Sequence, residues 1–544
     1  MDDSLMAPSR SRGESTDSKN APQEPPLRLG RVLGYALGSL PKTMLSYVVN
    51  VYFTVFLLQV AELPPSYVSL ITFGGRLLDA VSDPIAGYAF TKVNTRIGKF
   101  RPWVLGAIPF VCAAYILLWY VPPGFNKQEL LVYYLFIYWF YAVTTTCYHV
   151  PYVSLALVAT NDPHERDTLI AYRTGMEQFG SILGLALHGL IALWVGAIGS
   201  KQCHPHVKPR KHHAFLDLGE AQKASYMLTA MVNSGFMLIC GICAFFSVKE
   251  RYELHTVSGE PFRVVFRYYK SILKFKPFRY IIIFFLTLTL AMGAVMGNYA
   301  LYFHYSLHGN KFFPFYIIIL YIFDSLSLVV WQKTVAKRFG KKITCTLGVI
   351  PLMIILWGHL FFQYNLVLMI FVAIFTGLFL AAVLLICYSI FPDVIAAYGL
   401  EHGYGKEPLF YSVVGFVDKL GYGVMLGISN LALDLAGYSS AKCDNQPAAV
   451  DTTLRVIVGG VPVLALLVSL ITIWEYPISE TDRQLLRKKI RNSLASFTKA
   501  PSAPALAAKA MSLSPSDQRT YGSTENSVDF GTNGAANNSG VSFK

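Results

Sequence analysis

Apolar runs of about 20 residues, long enough to cross a bilayer as helices, recur along most of this chain and are separated by short polar breaks. Roughly twelve of them stand near 34–60, 66–92, 102–122, 130–158, 168–199, 222–248, 277–306, 312–333, 343–362, 366–392, 407–436 and 453–475. A basic, polar stretch at 249–276 parts them into two sets of six. The pattern predicts an all-α membrane protein of twelve transmembrane helices in two pseudo-symmetric six-helix halves. The expected units are a disordered cytoplasmic N-terminal tail at 1–28, an N-terminal half at 29–248, a cytoplasmic linker at 249–276, a C-terminal half at 277–478, and a basic, then disordered, cytoplasmic tail at 479–544.

Composition agrees. Of 544 residues, 54% are hydrophobic and 14% charged, and the mean hydropathy is +0.44; soluble domains carry about a quarter charged residues. The net charge of +14 raises the question of a nucleic-acid partner, but its distribution follows the membrane. Lys92, Arg96, Lys99 and Arg101 share one side with Lys333, Lys337, Arg338, Lys341 and Lys342, with the basic residues of 249–276, and with Arg483, Arg487, Lys488, Lys489 and Arg491. The positive-inside rule places that side, and both termini, in the cytoplasm. Lys201, Lys208, Arg210 and Lys211 fall on the other side against that trend. No signal peptide, phosphate-cradling loop, metal cluster or nucleophile elbow is visible, so no enzyme is expected. Cys240-Gly-Ile-Cys243 has a redox spacing but lies in an apolar run, where packing explains it. Cys203 and Cys443 fall in loops on the predicted outer face, an oxidising compartment in which a disulfide joining the halves is compatible with their placement.

A weak repeat relates the halves. Arg96-Ile-Gly-Lys99 follows the second run, and Arg338-Phe-Gly-Lys341 the eighth. Duplication of six spans with basic glycine turns at matching places is the mark of the major facilitator fold.

Charge inside the spans is sparse, and a carboxylate there costs kilocalories. Asp79 and Asp83 stand four apart, one helical turn, on one face of the second span. Two like charges so placed need a cation or a shared proton between them. Ser82 adds a hydroxyl, and Thr146 in the fourth span can complete a set of hard oxygens. Arg76, three residues before Asp79, can neutralise that one carboxylate. His149, in Cys147-Tyr-His-Val-Pro-Tyr152, is either a hydrogen-bonded interior histidine or a proton carrier. Arg173 and Glu177 form an intrahelical pair or leave Arg173 for an anion. Lys419, amid Gly415, Gly421 and Gly423, needs an anion: a substrate, the second-span aspartates across the pore, or a wet vestibule.

Several segments resemble a known family: Gly74-Gly-Arg-Leu-Leu-Asp-Ala-Val-Ser-Asp-Pro-Ile-Ala-Gly87, Arg101-Pro-Trp103, Glu165-Arg-Asp-Thr-Leu-Ile-Ala-Tyr-Arg173, Phe339-Gly-Lys-Lys342, Phe391-Pro-Asp-Val394 and Leu426-Gly-Ile-Ser429. Together they are similar to the glycoside-pentoside-hexuronide:cation symporters of the major facilitator superfamily, and within it to the sodium-driven lysolipid carriers of animals. The resemblance implies sodium at Asp79 and Asp83 with Ser82 and Thr146 nearby, Arg76, Arg173, Lys419, His149 and Glu177 in the substrate and coupling network, and a Cys203–Cys443 disulfide. Two positions depart: Met296 and Ala142 stand where those carriers have acidic residues. The sugar carriers have an aspartate in place of His149.

The expectation is therefore a plasma-membrane symporter, with the endoplasmic reticulum as a second location. It imports lysophosphatidylcholine-like lysophospholipids with sodium, acts as a monomer among membrane lipids, and uses no cofactor beyond the coupling ion and no nucleic acid. Arg or Lys would hold the phosphate, and Tyr148, Tyr152, Phe179, Tyr299 or Tyr302 would face a choline ammonium. The alternatives are a sodium-independent exporter of sphingosine phosphate or a related lysolipid, and a cation-coupled carrier of sugars or other small solutes.

Overall fold

The structure is a computed structural model that describes residues 28–92, 95–160, 163–195, 218–250, 262–402, 407–442 and 445–478, with residue 485. Among them every regular element is helical. The first half holds α1 (Leu29–Leu37), α2 (Ser39–Val55), α3 (Pro65–Lys92), α4 (Arg101–Leu118), α5 (Lys127–Ala159), α6 (Pro163–Trp194) and α7 (Leu218–Ser247). A short helix, α8 (Phe262–Lys274), precedes the second half. That half holds α9 (Lys276–Tyr305), α10 (Phe313–Val330), α11 (Ala336–Gly358), α12 (Leu366–His402), α13 (Glu407–Leu435), α14 (Ala448–Arg455) and α15 (Val461–Glu475).

Ten of the described stretches are long and apolar enough to span a membrane. One of them, Phe313–Gly358, is two passes, because Gly340 leaves the helix at φ 76°, ψ 175°. α3 is 28 residues long, enough to span, and carries the charges Arg76, Asp79 and Asp83. With that split and α3 included, the passes number twelve. In each half the second pass ends in a left-handed glycine, Gly98 at φ 120° or Gly340, a conformation open to glycine at little cost.

The first of these turns is held from a distance. The Glu250 carboxylate accepts from the backbone N–H groups of Lys99 (2.7 Å), Phe100 (2.7 Å) and Arg101 (2.9 Å). These are free donors at the start of α4, where a negative charge is favoured. In the second half, Lys341 reaches Asp393 at 2.6 Å and Lys342 the Tyr476 carbonyl at 2.7 Å.

The halves meet away from these basic turns. Ser69 donates to the Gly427 carbonyl at 2.7 Å. Gly189 packs on Pro314, and Gln59 donates to the Tyr305 hydroxyl at 3.4 Å, itself 3.1 Å from Tyr438. Toward the basic end the packing opens. Gly175 and Gly415 have nothing within 4 Å of where a side chain would begin, and Tyr172, Phe179 and Tyr411 are exposed. A cleft between the halves thus opens at the basic end and closes at the far end.

Candidate functional site

α3 and α13 make the most extensive contact between the halves, and the buried charges gather along it. Lys419 Nζ donates to Asp79 Oδ1 at 2.7 Å, and the two side chains keep 21% and 12% exposure. Asp79 is therefore balanced from the other half of the molecule. The expected Arg76–Asp79 neutralisation does not form: one turn of α3 aims Arg76 toward the first pass, where its guanidinium donates to Asn50 Oδ1. The cation also lies over the Tyr422 ring, 4.9 Å from its centroid, and the Tyr422 hydroxyl donates to the Asn50 carbonyl at 3.4 Å. Arg76 Nε is buried without a hydrogen-bond partner. Arg76 thus has a neutral amide and an aromatic face as partners.

Met296 is buried, and its thioether accepts from the Tyr321 hydroxyl at 3.6 Å. Ala142 is buried against the same bundle.

The side chain of Asp83 lies outside the described residues; its backbone continues α3. The register of its backbone follows from neighbouring contacts. Gly74 packs on Leu135 and Gly75 on Tyr138, and α3 and α5 run in the same direction. Two turns further, Asp83 comes level with Thr146, and Asp79 with Ala142. Ser82 Oγ donates to the Asp79 backbone carbonyl at 3.0 Å, and Thr146 is buried.

Arg173 and Glu177 pair at 3.4 Å within α6, and Ser39 Oγ donates to the Arg173 carbonyl at 3.1 Å. Lys42, Arg173 and Lys419 are the cations within electrostatic reach of His149. Asp418, next to Lys419 on α13, points elsewhere and is exposed to the cleft, as the 100° between successive helix positions requires.

The expected aromatic wall is largely absent. Tyr148 and Tyr152 are fully buried, stacked at 5.6 Å, with their hydroxyls on the Gly38 and Tyr35 carbonyls. They fasten α5 to α1. Tyr299 and Tyr302 are engaged with His359 at the far end. Phe179 alone of the five remains exposed. Cys240 and Cys243 are free thiols in α7, while Cys203 and Cys443 lie outside the described residues.

Asn50, Tyr422 and Glu250 were missed by sequence reasoning. Asn50 carried the one usable signal, an amide in the middle of the first apolar run.

Residues 34–480 match the family described as MFS/sugar transport protein. The sodium-dependent lysophosphatidylcholine symporter 1 of Xenopus tropicalis is 32% identical over 90% of this chain and 96% of that protein. The sphingosine-1-phosphate transporter MFSD2B of the same organism is also 32% identical, over 83% of this chain and 88% of that protein. Among solved structures, a bacterial homologue of the human lysosomal transporter Spinster, in an inward-facing and unoccupied conformation, superposes with a TM-score of 0.56 at 11% identity, covering 82% of this chain and 95% of the other. The nucleoside transporter NupG does so at 0.54 and 10% identity, covering 82% and 100%. These two likenesses carry the fold alone.

Proposed function

The chain belongs to the MFS/sugar transport protein family and is a membrane transporter, not an enzyme; from that premise we propose that it is a sodium-coupled symporter that imports lysophospholipids by alternating access. The observation that carries the reading is the Asp79–Lys419 pair, a charge contact between the two halves at 2.7 Å. A sodium ion arriving at Asp79, with Ser82, Asp83 and Thr146 at hand, competes with the ammonium for the same carboxylate. Lys419 is then released toward the cleft, where Arg173 and His149 also stand. A freed ammonium beside a guanidinium suits the phosphate of a lysolipid, and the apolar cleft suits its chain, at roughly 0.8 kcal/mol per buried methylene. Sodium binding, phosphate binding and loosening of the contact between halves are thereby one event.

Two relatives with different printed substrates are each 32% identical to this chain, so percentage identity does not choose between them. A carboxylate tied to a lysine across the interface supports the sodium-driven reading over a sodium-independent exporter of sphingosine phosphate. The proposed location is the plasma membrane, with both termini in the cytoplasm and the open end of the cleft facing inward.

Uptake of labelled lysophosphatidylcholine into cells expressing the protein, with sodium or with choline in its place, tests this. Uptake should require sodium in wild type and fall to background in Asp79→Ala. Equal uptake in all four conditions would refute sodium coupling; sodium-independent release of sphingosine phosphate would favour the second reading.

A further inference from the structure

Asp324 belongs to the second half, and sodium coupling makes no use of it. Asp83 stands 15 residues before Gly98, and Asp324 stands 16 before Gly340. Between Asp324 and Gly340 lies the π-helical turn Trp331–Val335, which accommodates one extra residue in a helix. With that residue absorbed, Asp324 is the counterpart in the eighth pass of Asp83 in the second.

Its surroundings are those of an acid without a counter-charge. Asp324 is 3% exposed, and Oδ1 has no hydrogen-bond partner. On its own helix, Ser327 Oγ donates to the Asp324 backbone carbonyl at 3.1 Å rather than to the carboxyl group, and Ser325 Oγ is unpartnered. α12 meets it with Gly377, which packs against the Leu320 carbonyl and the Asp324 amide. From α2 comes Tyr47, edge-on to Tyr321 at 5.3 Å between ring centroids. Among the described residues, Tyr47 and Tyr321 are the titratable side chains within electrostatic reach of Asp324; past Tyr47 lie Glu177 of α6 and Asp418 of α13, and past Tyr321 lies Tyr422 of α13. The cation beyond them, Arg76, lies over the Tyr422 ring and donates to Asn50, so it does not pair with Asp324. An ionised carboxylate left so costs several kilocalories. Sodium would call for several oxygens converging on one point, whereas a proton needs one.

We infer that Asp324 is a proton-binding site, a second cation site of the carrier, set in the half opposite the sodium site and occupied in the conformation closed at the far end. The step is simple uptake of H+ from water onto Oδ1, forming an O–H bond, and its return to water when the halves rearrange and the carboxyl group is hydrated. A proton held in one conformation and lost in the other ties their balance to pH: acid favours the conformation closed at the far end, alkali the other.

The whole protein in lipid nanodiscs tests this. Its infrared spectrum should contain the carbonyl stretch of a buried, protonated carboxylic acid, and Asp324→Asn should lose that band. Protection of the amides over 300–316, at the closed end, measured against the intrinsic exchange rate at each pH, should rise in acid in wild type. In Asp324→Asn, which has the shape of the neutral acid, that protection should be high at acid and alkaline pH alike. A variant that keeps both the band and the wild-type pH response overturns the site. Should Asp324→Asn not fold, wild type decides alone: no protonated-carboxyl band at an acid pH where 300–316 is protected overturns it equally.

Discussion

Lys419 is one of few cations placed mid-span in this chain, and its partner decides how it behaves. Its bond to Asp79 is shielded but not sealed, at 21% and 12% side-chain exposure. Breaking a fully buried pair from one side costs about 3–5 kcal/mol, because the remaining charge is stranded. Lys419→Met should therefore destabilise the protein by somewhat less, on the order of 2 kcal/mol, and Asp79→Asn by a similar amount. The double variant should recover much of the loss, since the Asp79–Lys419 contact is then removed from both sides. Thermal unfolding of the four proteins in detergent measures this; strictly additive losses would show that the contact is not a coupled pair. Arg76 gives a second test at this scale. Its fork on Asn50 and its face on Tyr422 are features of guanidinium that an ammonium lacks, so Arg76→Lys should lower uptake while Lys419→Arg spares more of it. The sequence put Asp79, Asp83, Arg76 and Lys419 in view because charge in an apolar span is conspicuous. It left their pairing open, because partners on different helices are set by helix rotation and register, which no local pattern encodes. The tyrosines failed for a related reason: with 14% aromatic residues, nothing along the chain separates a ring in the wall of the cleft from one that fastens helices together.

At the scale of elements, the most legible feature was the pair of glycine turns, since R-x-G-K recurs at matching places. What holds the first turn was not legible. Glu250 lies about 150 residues from the backbone groups it satisfies, in a stretch whose composition reads as ordinary linker. At Gly98 a methyl group would lie 2.5 Å from the Glu250 carboxylate, on a backbone at φ 120°. Gly98→Ala should cost more than about 1 kcal/mol from backbone strain alone, and displacing Glu250 would add to it. Glu250→Ala should cost about 1–3 kcal/mol for the amides left bare. The two together should cost less than their sum, because each removes what the other disturbs. Unfolding temperatures across this set provide the measurement, and full additivity would mean that Gly98 and Glu250 act separately. α3 teaches the converse lesson: its charges interrupt its apolar run, and the same charges mark it as the element that carries the site.

For the whole molecule, the twelve passes were readable because bilayer thickness imposes a length on every one of them. Which end of the cleft is closed was not readable, since a single sequence encodes both conformations and differs between them only in a balance of contacts. The closed end therefore has to be tested as a contact. Ser69 on α3 and Gly427 on α13 join the halves there, and a side chain begun at Gly427 would sit 3.5 Å from Ser69 Oγ, close to the spacing a disulfide requires. The Phe73 side chain, 3.1 Å away, has to yield slightly. In Ser69→Cys/Gly427→Cys, built with Cys203→Ser so that no other bridge can join the halves, oxidation should form the bridge, detected as two halves that stay together in denaturant after protease cuts the 249–276 linker. If the halves must part at this end for substrate to enter, the bridged protein should be inactive and a reductant should restore uptake, while each single-cysteine variant is unaffected by either treatment. Uptake that continues undiminished with the bridge intact would mean that the Ser69–Gly427 contact is not broken during transport, and that entry takes another route between the halves.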